Sequence, residues 1–154
     1  MLKFQPYSDN WSRKFYDLNV VWLRSLFLIE PYDEYVLENP REAILDKGGS
    51  IYFGIYRGQA VATFAIVPTS EGRVELNKMA VQEDLRGQGF GNMMMSFVLE
   101  QCRKEGVSSI ELYSNRKLKN ALHLYRKFGF KEIPIPPDSP YERADIRMIC
   151  PLSI

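Results

Sequence analysis

Apolar residues recur at helical spacing along the first quarter of the chain and at strand spacing soon after. From Trp11 onward Phe15, Leu18, Val21, Trp22, Leu26 and Ile29 mark one face of a helix. Ser8, Asp9 and Asn10 ahead of it are good N-cap residues. Leu2 to Gln5 reads as a short first strand stopped by Pro6. Pro31 ends the long helix and suits the start of another, and Asn39-Pro40 repeats the cap-then-proline signal before Arg41 to Asp46. Gly48-Gly49 stops that segment. Ser50 to Tyr56 and Ala60 to Val67 then read as a hairpin about the turn Arg57-Gly58-Gln59. Pro68 to Gly72 reads as a polar loop, and Arg73 to Val81 as the next strand.

That strand changes parity. Val74 and Leu76 lie on one face, Met79 and Val81 on the other, and Lys78 interrupts the alternation. A strand has a period of two, so the slip suits a β-bulge; a strand buried on both faces is the equal alternative. A bulge would splay this strand from its neighbour and open a cleft. Phe90 to Lys104 is an amphipathic helix with Phe90, Met93, Met94, Phe97, Val98 and Cys102 as its stripe, ended by Gly106. Strand Ser108 to Tyr113, helix Leu118 to Phe128 and short strand Phe130 to Ile133 follow. Pro134, Pro136, Pro137 and Pro140 stiffen a loop, and Ala144 to Ile149 closes as an edge or hairpin strand. The order indicates a mixed α/β domain, hairpin-rich first and β-α-β-α-β afterwards.

Composition narrows the function classes. The 154 residues suit one domain, 1–154, with one core. A net charge of +1 gives no electrostatic argument for nucleic acid or a membrane surface. No apolar run approaches the ~18 residues of a membrane span. The N-terminus lacks a signal-peptide apolar region, so a cytoplasmic protein is expected. Cys102, Cys150 and the single histidine, His123, form no zinc pattern, and the expectation is no metal and two reduced, packed thiols.

Between strand 73–81 and helix 90–104 lies Arg86-Gly87-Gln88-Gly89-Phe90-Gly91. Glycines permit positive φ and close approach of a ligand to the main chain. The helix start adds unpaired N–H groups and partial positive charge, which suits phosphate oxygens. A P-loop is excluded because GxxxxGK[ST] is absent. A dinucleotide fingerprint fits loosely: Gly87 and Gly89 match, Asn92 occupies the third glycine position, and Glu111 lies about 20 residues on.

Coenzyme A is the third ligand class. Arg86, Gly89 and Gly91 match [R/Q]-x-x-G-x-[G/A], and Ala121-Leu122-His123-Leu124-Tyr125-Arg126-Lys127-Phe128-Gly129-Phe130 matches A-x-x-L-Y-x-K-x-G-F. In these two blocks, and in Glu75 to Val81 as the preceding strand, the chain resembles the GNAT superfamily of acetyl-CoA-dependent N-acetyltransferases. The resemblance is clear over 73–133. It implies a mixed, mostly antiparallel, splayed sheet flanked by helices. It implies acetyl-CoA as acetyl donor and a primary amine of a small molecule or peptide as acceptor, in a monomer or homodimer. Main-chain groups of Met79 and Val81 would pair with the pantetheine arm. N–H groups from Arg86, Gly87, Gln88, Gly89, Phe90 and Gly91 would hold the pyrophosphate. Asn115 would contact the cofactor, with Asn120 as its rival. Tyr125 would sit near the thioester sulfur as proton donor, and Val81 would supply an oxyanion N–H. Glu111 occupies a position where some members carry the general base, and Glu75 one where others do. Neither cysteine lies in a motif, so the amine attacks the thioester directly. Two rivals are a non-catalytic acyl-CoA-binding module and a nucleotide-dependent enzyme.

The acceptor signals conflict. Ile29 to Tyr35 is acidic and aromatic and would favour a cationic amine, whereas Arg143 beside Tyr141 would suit a carboxylate.

Overall fold

A computed structural model describes residues 1–139 and 141–152; Pro140 of the proline-rich loop lies outside them. Seven strands form one open sheet in the order β1-β2-β3-β4-β5-β7-β6. They are β1 (Lys3–Pro6), β2 (Ser50–Tyr56), β3 (Gln59–Ser70), β4 (Arg73–Val81), β5 (Ser109–Ser114), β6 (Lys131–Ile133) and β7 (Ile146–Pro151). Only β4 and β5 pair in parallel. Helices α1 (Ser12–Leu26), α2 (Pro31–Glu38) and α3 (Pro40–Ala43) precede the hairpin; α4 (Phe90–Lys104) and α5 (Lys119–Lys127) flank β5. The expected mixed, mostly antiparallel sheet flanked by helices is therefore present.

Apolar clusters fill both faces of the sheet. One gathers Phe15, Leu23 and Leu37 against Ile51, Phe53 and Ala65. The other gathers Phe90, Met94 and Met95 against Phe64, Ile110 and Met148. β3 lies between them and is buried from Ala60 through Ile66, which is why its sequence runs apolar without alternation. Cys102 and Cys150 are free and buried, as expected.

Three elements depart from the sequence reading. The stretch 68–70, read as loop, continues β3: beyond Ile66↔Ser50 the strand has lost β2, and Pro68 pairs only with Val74 of β4. A proline is tolerated where one side of the strand is an open edge. The closing strand forms the expected hairpin with β6 but is not an edge, because β7 inserts between β5 and the three-residue β6. Its alternate burial at Ile146, Met148 and Cys150 reflects that position. On α4 the stripe is turned towards Met95 and Leu99, which are buried; Met93 and Phe97 are half-buried. Phe97 instead packs on Phe4 and Tyr52, with ring centroids 4.7 and 5.0 Å away.

No helix among the described residues is long and apolar enough to cross a membrane.

Candidate active site

β4 and β5 pair only at Arg73↔Ser109, Val74↔Ile110 and Glu75↔Glu111. Beyond that point they part. On its other side β4 keeps β3, but with an irregularity: Asn77 faces Ala65 and Ala80 faces Thr63. Two residues of β4, Lys78 and Met79, therefore oppose the single Phe64. This is a β-bulge, and Lys78 sits in it at φ 52°. A left-handed φ in a lysine is strained, and it persists because the surroundings hold the side chain. The bulge turns β4 away from β5, and the main chain of β4 from Lys78 on has a strand neighbour on one side only.

The gap is a cleft of about 930 Å³. Arg86, Gly87, Gly89 and Gly91 of the glycine turn line it near one end. Gly87 and Gly89 have φ 80° and 82°, and a Cβ on either would meet no atom within 4 Å. The turn is thus bare of side chains on its open side. α4 begins at Phe90, and the first main-chain bond back to the turn is Met93 N–H to the Gly89 carbonyl, 3.2 Å. The N–H groups of Phe90, Gly91 and Asn92 are left without helical partners. Lys127 lies beside this helix start, its ammonium 2.7 Å from Asn92 Oδ1, and Lys117 and Lys119 line the cleft elsewhere. Unpaired N–H groups, a helix N-terminus and cations together fit a pyrophosphate.

Near the β4–β5 junction the cleft meets a buried carboxylate. Glu75 is 9% exposed and accepts hydrogen bonds from Asn77 Nδ2 (3.0 Å) and Tyr141 O–H (3.2 Å). Burial raises its pKa, with a further push from the charge of Glu111; the two hydrogen bonds only partly offset this. Beside it Lys78 Nζ lies 2.8 Å from Asp33 Oδ1. Asp33 is fully buried and also binds the Arg143 guanidinium through both carboxylate oxygens. Burial alone would raise the pKa of Asp33, but Arg143 and Lys78 together hold it below the usual value. Glu30 completes the group, accepting from Arg143 Nη1 at 3.0 Å and from the main-chain N–H of Glu142 and Arg143.

The sequence matches the acetyltransferase (GNAT) family over residues 9–130. The chain belongs to the GNAT family. It is 29% identical over 105 residues to the uncharacterized N-acetyltransferase YvbK of Bacillus subtilis, covering 66% of this chain and 68% of that protein. It is 28% identical over 83 residues to the ribosomal protein bS18-alanine N-acetyltransferase of Escherichia coli, covering 54% and 56%. In fold it is similar to a GNAT acetyltransferase of Staphylococcus aureus, with a TM-score of 0.88 at 19% identity over 99% of this chain and all of that one. A Bacillus subtilis acetyltransferase solved with CoA has a TM-score of 0.76 at 21% identity over 99% and 100%.

On this GNAT scaffold most of the residues anticipated from the motifs come together. Met79, Val81, Arg86, Gly87, Gly89, Phe90, Gly91, Asn115 and Tyr125 all border the cleft; Gln88 does not. Phe90 is buried, so its side chain belongs to the core. Tyr125 is half-buried with its ring 5.9 Å from that of Phe130, and burial pushes its pKa up to about 12. The Asn115 side chain is occupied within the protein, donating to the Arg143 carbonyl (2.7 Å) and accepting from Lys117 N–H (2.9 Å). Asn120 is exposed on the first turn of α5 and also lines the cleft. Glu111 is not part of the cleft wall, and its carboxylate is paired with Arg147 Nη2 at 2.6 Å.

Sequence reasoning missed the Lys78–Asp33–Arg143 cluster. Lys78 was visible only as a break in alternation, and Asp33 only as part of an acidic stretch. Nothing local says that residues 45 and 110 positions apart share one buried pair of oxygens.

Proposed function

We propose that the protein transfers the acetyl group of acetyl-CoA to a primary amine by direct attack on the thioester, through a tetrahedral intermediate. The observation that carries this reading is the parting of β4 from β5 at Glu75, in a cleft that also receives the glycine turn. The pantetheine arm would lie along Met79 and Val81, where β4 has no second strand neighbour. The pyrophosphate would rest on the turn from Arg86 to Gly91, with Gln88 contributing main chain only. Asn120 suits a cofactor contact better than Asn115, whose side chain is already bonded.

An acceptor amine is mostly protonated at neutral pH and must lose a proton before attacking. Glu75 suits this role better than Glu111: it lines the cleft, its pKa is raised, and it has no ion-pair partner among the described residues, whereas Glu111 is held by Arg147. The proton passes to Glu75, directly or through water. The amine nitrogen bonds to the acetyl carbon, the Val81 N–H stabilises the oxyanion, and the C–S bond then breaks. The departing thiolate takes a proton from Tyr125, which at a pKa of about 12 keeps its hydroxyl proton at neutral pH; the second proton of the attached nitrogen leaves as the amide forms and, relayed through water, restores the Tyr125 hydroxyl. Tyr125→Phe is expected to lower kcat by about 10²-fold with little change in KM, measured by release of free CoA thiol. An unchanged kcat would remove Tyr125 from the reaction.

Donor binding is tested by thermal shift. CoA at about 100 times its Kd adds about 2.7 kcal/mol, which raises Tm by about 5–10 °C for a chain of this size. NAD, NADP and ATP should leave Tm unchanged; stabilisation by these and not by CoA would sink the reading. CoA binding without transfer to any amine would leave a non-catalytic acyl-CoA-binding module.

A further inference from the structure

The acidic stretch 29–35 and Arg143 argue for opposite acceptors in the sequence, but in the structure they neutralise one another. Around the junction of β4 and β5, α2 and its N-cap bring Asp33 and Glu30, β4 brings Glu75 and Lys78, β5 brings Glu111, β7 brings Arg147 and the loop before it brings Arg143. The cations are all engaged: Lys78 with Asp33, Arg143 with Asp33 and Glu30, Arg147 with Glu111. Three cations thus face four carboxylates, and the carboxylate left over is Glu75. Arg143 has no free fork for an acceptor carboxylate, because Asp33 takes both of its terminal nitrogens. Asp33 is fully buried and cannot reach a second ammonium.

What remains on the cleft wall at this end is mainly aromatic and aliphatic surface, with the Trp22 indole N–H and the Asn77 amide oxygen as uncharged polar atoms lacking a partner among the described residues. Trp22, Leu26 and Phe27, at the end of α1, line the cleft with Tyr113 and Tyr141. Trp22 and Phe27 pack edge to face at 6.2 Å, and Tyr113 and Tyr141 at 5.8 Å. Glu30 ties α2 to the loop through the N–H groups of Glu142 and Arg143, so the two elements meet beside Tyr141. That tie favours a small acceptor entering end-on over a chain passing through. At the rim, Lys117 is exposed and its ammonium lies 4.7 Å from the Phe27 ring centroid.

Resting on the acetyl-transfer reading above, we propose that the acceptor is a small monoamine with an apolar or aromatic body and no second charge. Its body lies among Trp22, Leu26, Phe27, Tyr113 and Tyr141, and its amine is directed to Glu75. A second ammonium would have to be desolvated against these rings with no carboxylate free to pair it, which is strongly unfavourable; a carboxylate would find Arg143 already engaged and only the rim Lys117 within reach.

The test is an initial-rate assay of CoA thiol release by the unaltered protein. Phenethylamine is compared with phenylalanine, which adds a carboxylate, with putrescine and spermidine, which add ammonium groups, and with a phenylalanine-initiated tripeptide. The kcat/KM for phenethylamine is expected to exceed each of the others by at least about tenfold. Phe27→Ala should raise the KM for phenethylamine about tenfold while leaving the thermal shift with CoA unchanged. A preference for the polyamines, for the peptide, or for phenylalanine (the last abolished by Lys117→Ala) would overturn the proposal and leave acetyl transfer standing. Transfer to none of these amines or to any wider amine panel would overturn the acetyltransferase reading itself. The comparison uses the unaltered protein, so it holds even if a variant fails to fold.

Discussion

Glu75→Gln is expected to lower kcat by about 10²- to 10⁴-fold without weakening the fold. The side chain is 9% exposed, faces the cleft, and has no contacting cation among the described residues. Its ionised form is therefore costly in the folded protein, and its pKa is raised, chiefly by burial. A carboxyl group whose pKa rises on folding favours the fold while protonated. That contribution is lost as pH climbs from the ordinary carboxyl value through the raised one. Glutamine carries no charge, so Tm at pH 7–8 should stay level or rise in the variant. The proposed reaction needs the same ionisation, since only the carboxylate accepts a proton. Activity of the unaltered protein should fall as pH drops through the raised pKa of Glu75, and that acid limb should be missing from the residual rate of the variant. Glu111→Gln should cost far less in kcat, and in its case stability should suffer, because Arg147 would be stranded with its Nε already lacking a partner. A larger kcat loss in Glu111→Gln than in Glu75→Gln would return the role of base to Glu111.

Asp33→Asn is expected to destabilise the protein by about 3–5 kcal/mol, because removing one member of a buried ion pair leaves its partner's charge uncompensated. Here Lys78, 2.8 Å away, is stranded, and Arg143 loses the partner of its fork and keeps only Glu30 among the described residues. Asp33 Oδ2 also accepts the Glu30 N–H at the start of α2, at 3.2 Å. Urea unfolding measures the loss, and a cost under ~1 kcal/mol, the range of an exposed pair, would contradict it. The pKa of Asp33 is depressed, so its contribution is present above the ordinary carboxyl value and lost as pH falls through the depressed one. The gap between the two proteins should therefore close in strong acid. Adding Lys78→Met to Asp33→Asn should recover part of the loss, since burial already disfavours the charged form of Lys78 and methionine removes it. Lys78, the partner of Asp33, sits in the bulge, so catalysis should decline with stability in the single variant.

Local energetics were readable along the chain. Proline at the first position of α2 and α3 and glycines at φ near 80° in the turn each reflect forces acting within a few residues. The parity slip at Lys78 is of the same kind, because a strand records an inserted residue in its own alternation. These features placed the helices, most strands, the glycine turn and the Tyr125 block, and with them one wall of the cleft.

The sequence by itself thus determined the elements and the glycine turn, since propensity, capping and backbone conformation are short-range properties. Tertiary structure alone decided the rest. It set β7 inside β5 and β6, let Pro68 stay in β3 by removing β2 from its side, and paired Arg143 with Asp33 across 110 positions. It also separated two glutamates directly opposite each other on neighbouring strands, giving Glu111 an arginine and Glu75 a buried place at the cleft. A carboxylate's proton affinity is set by the charges and solvent within a few ångströms of it. Those neighbours come from distant segments, so no local pattern around either residue encodes the difference.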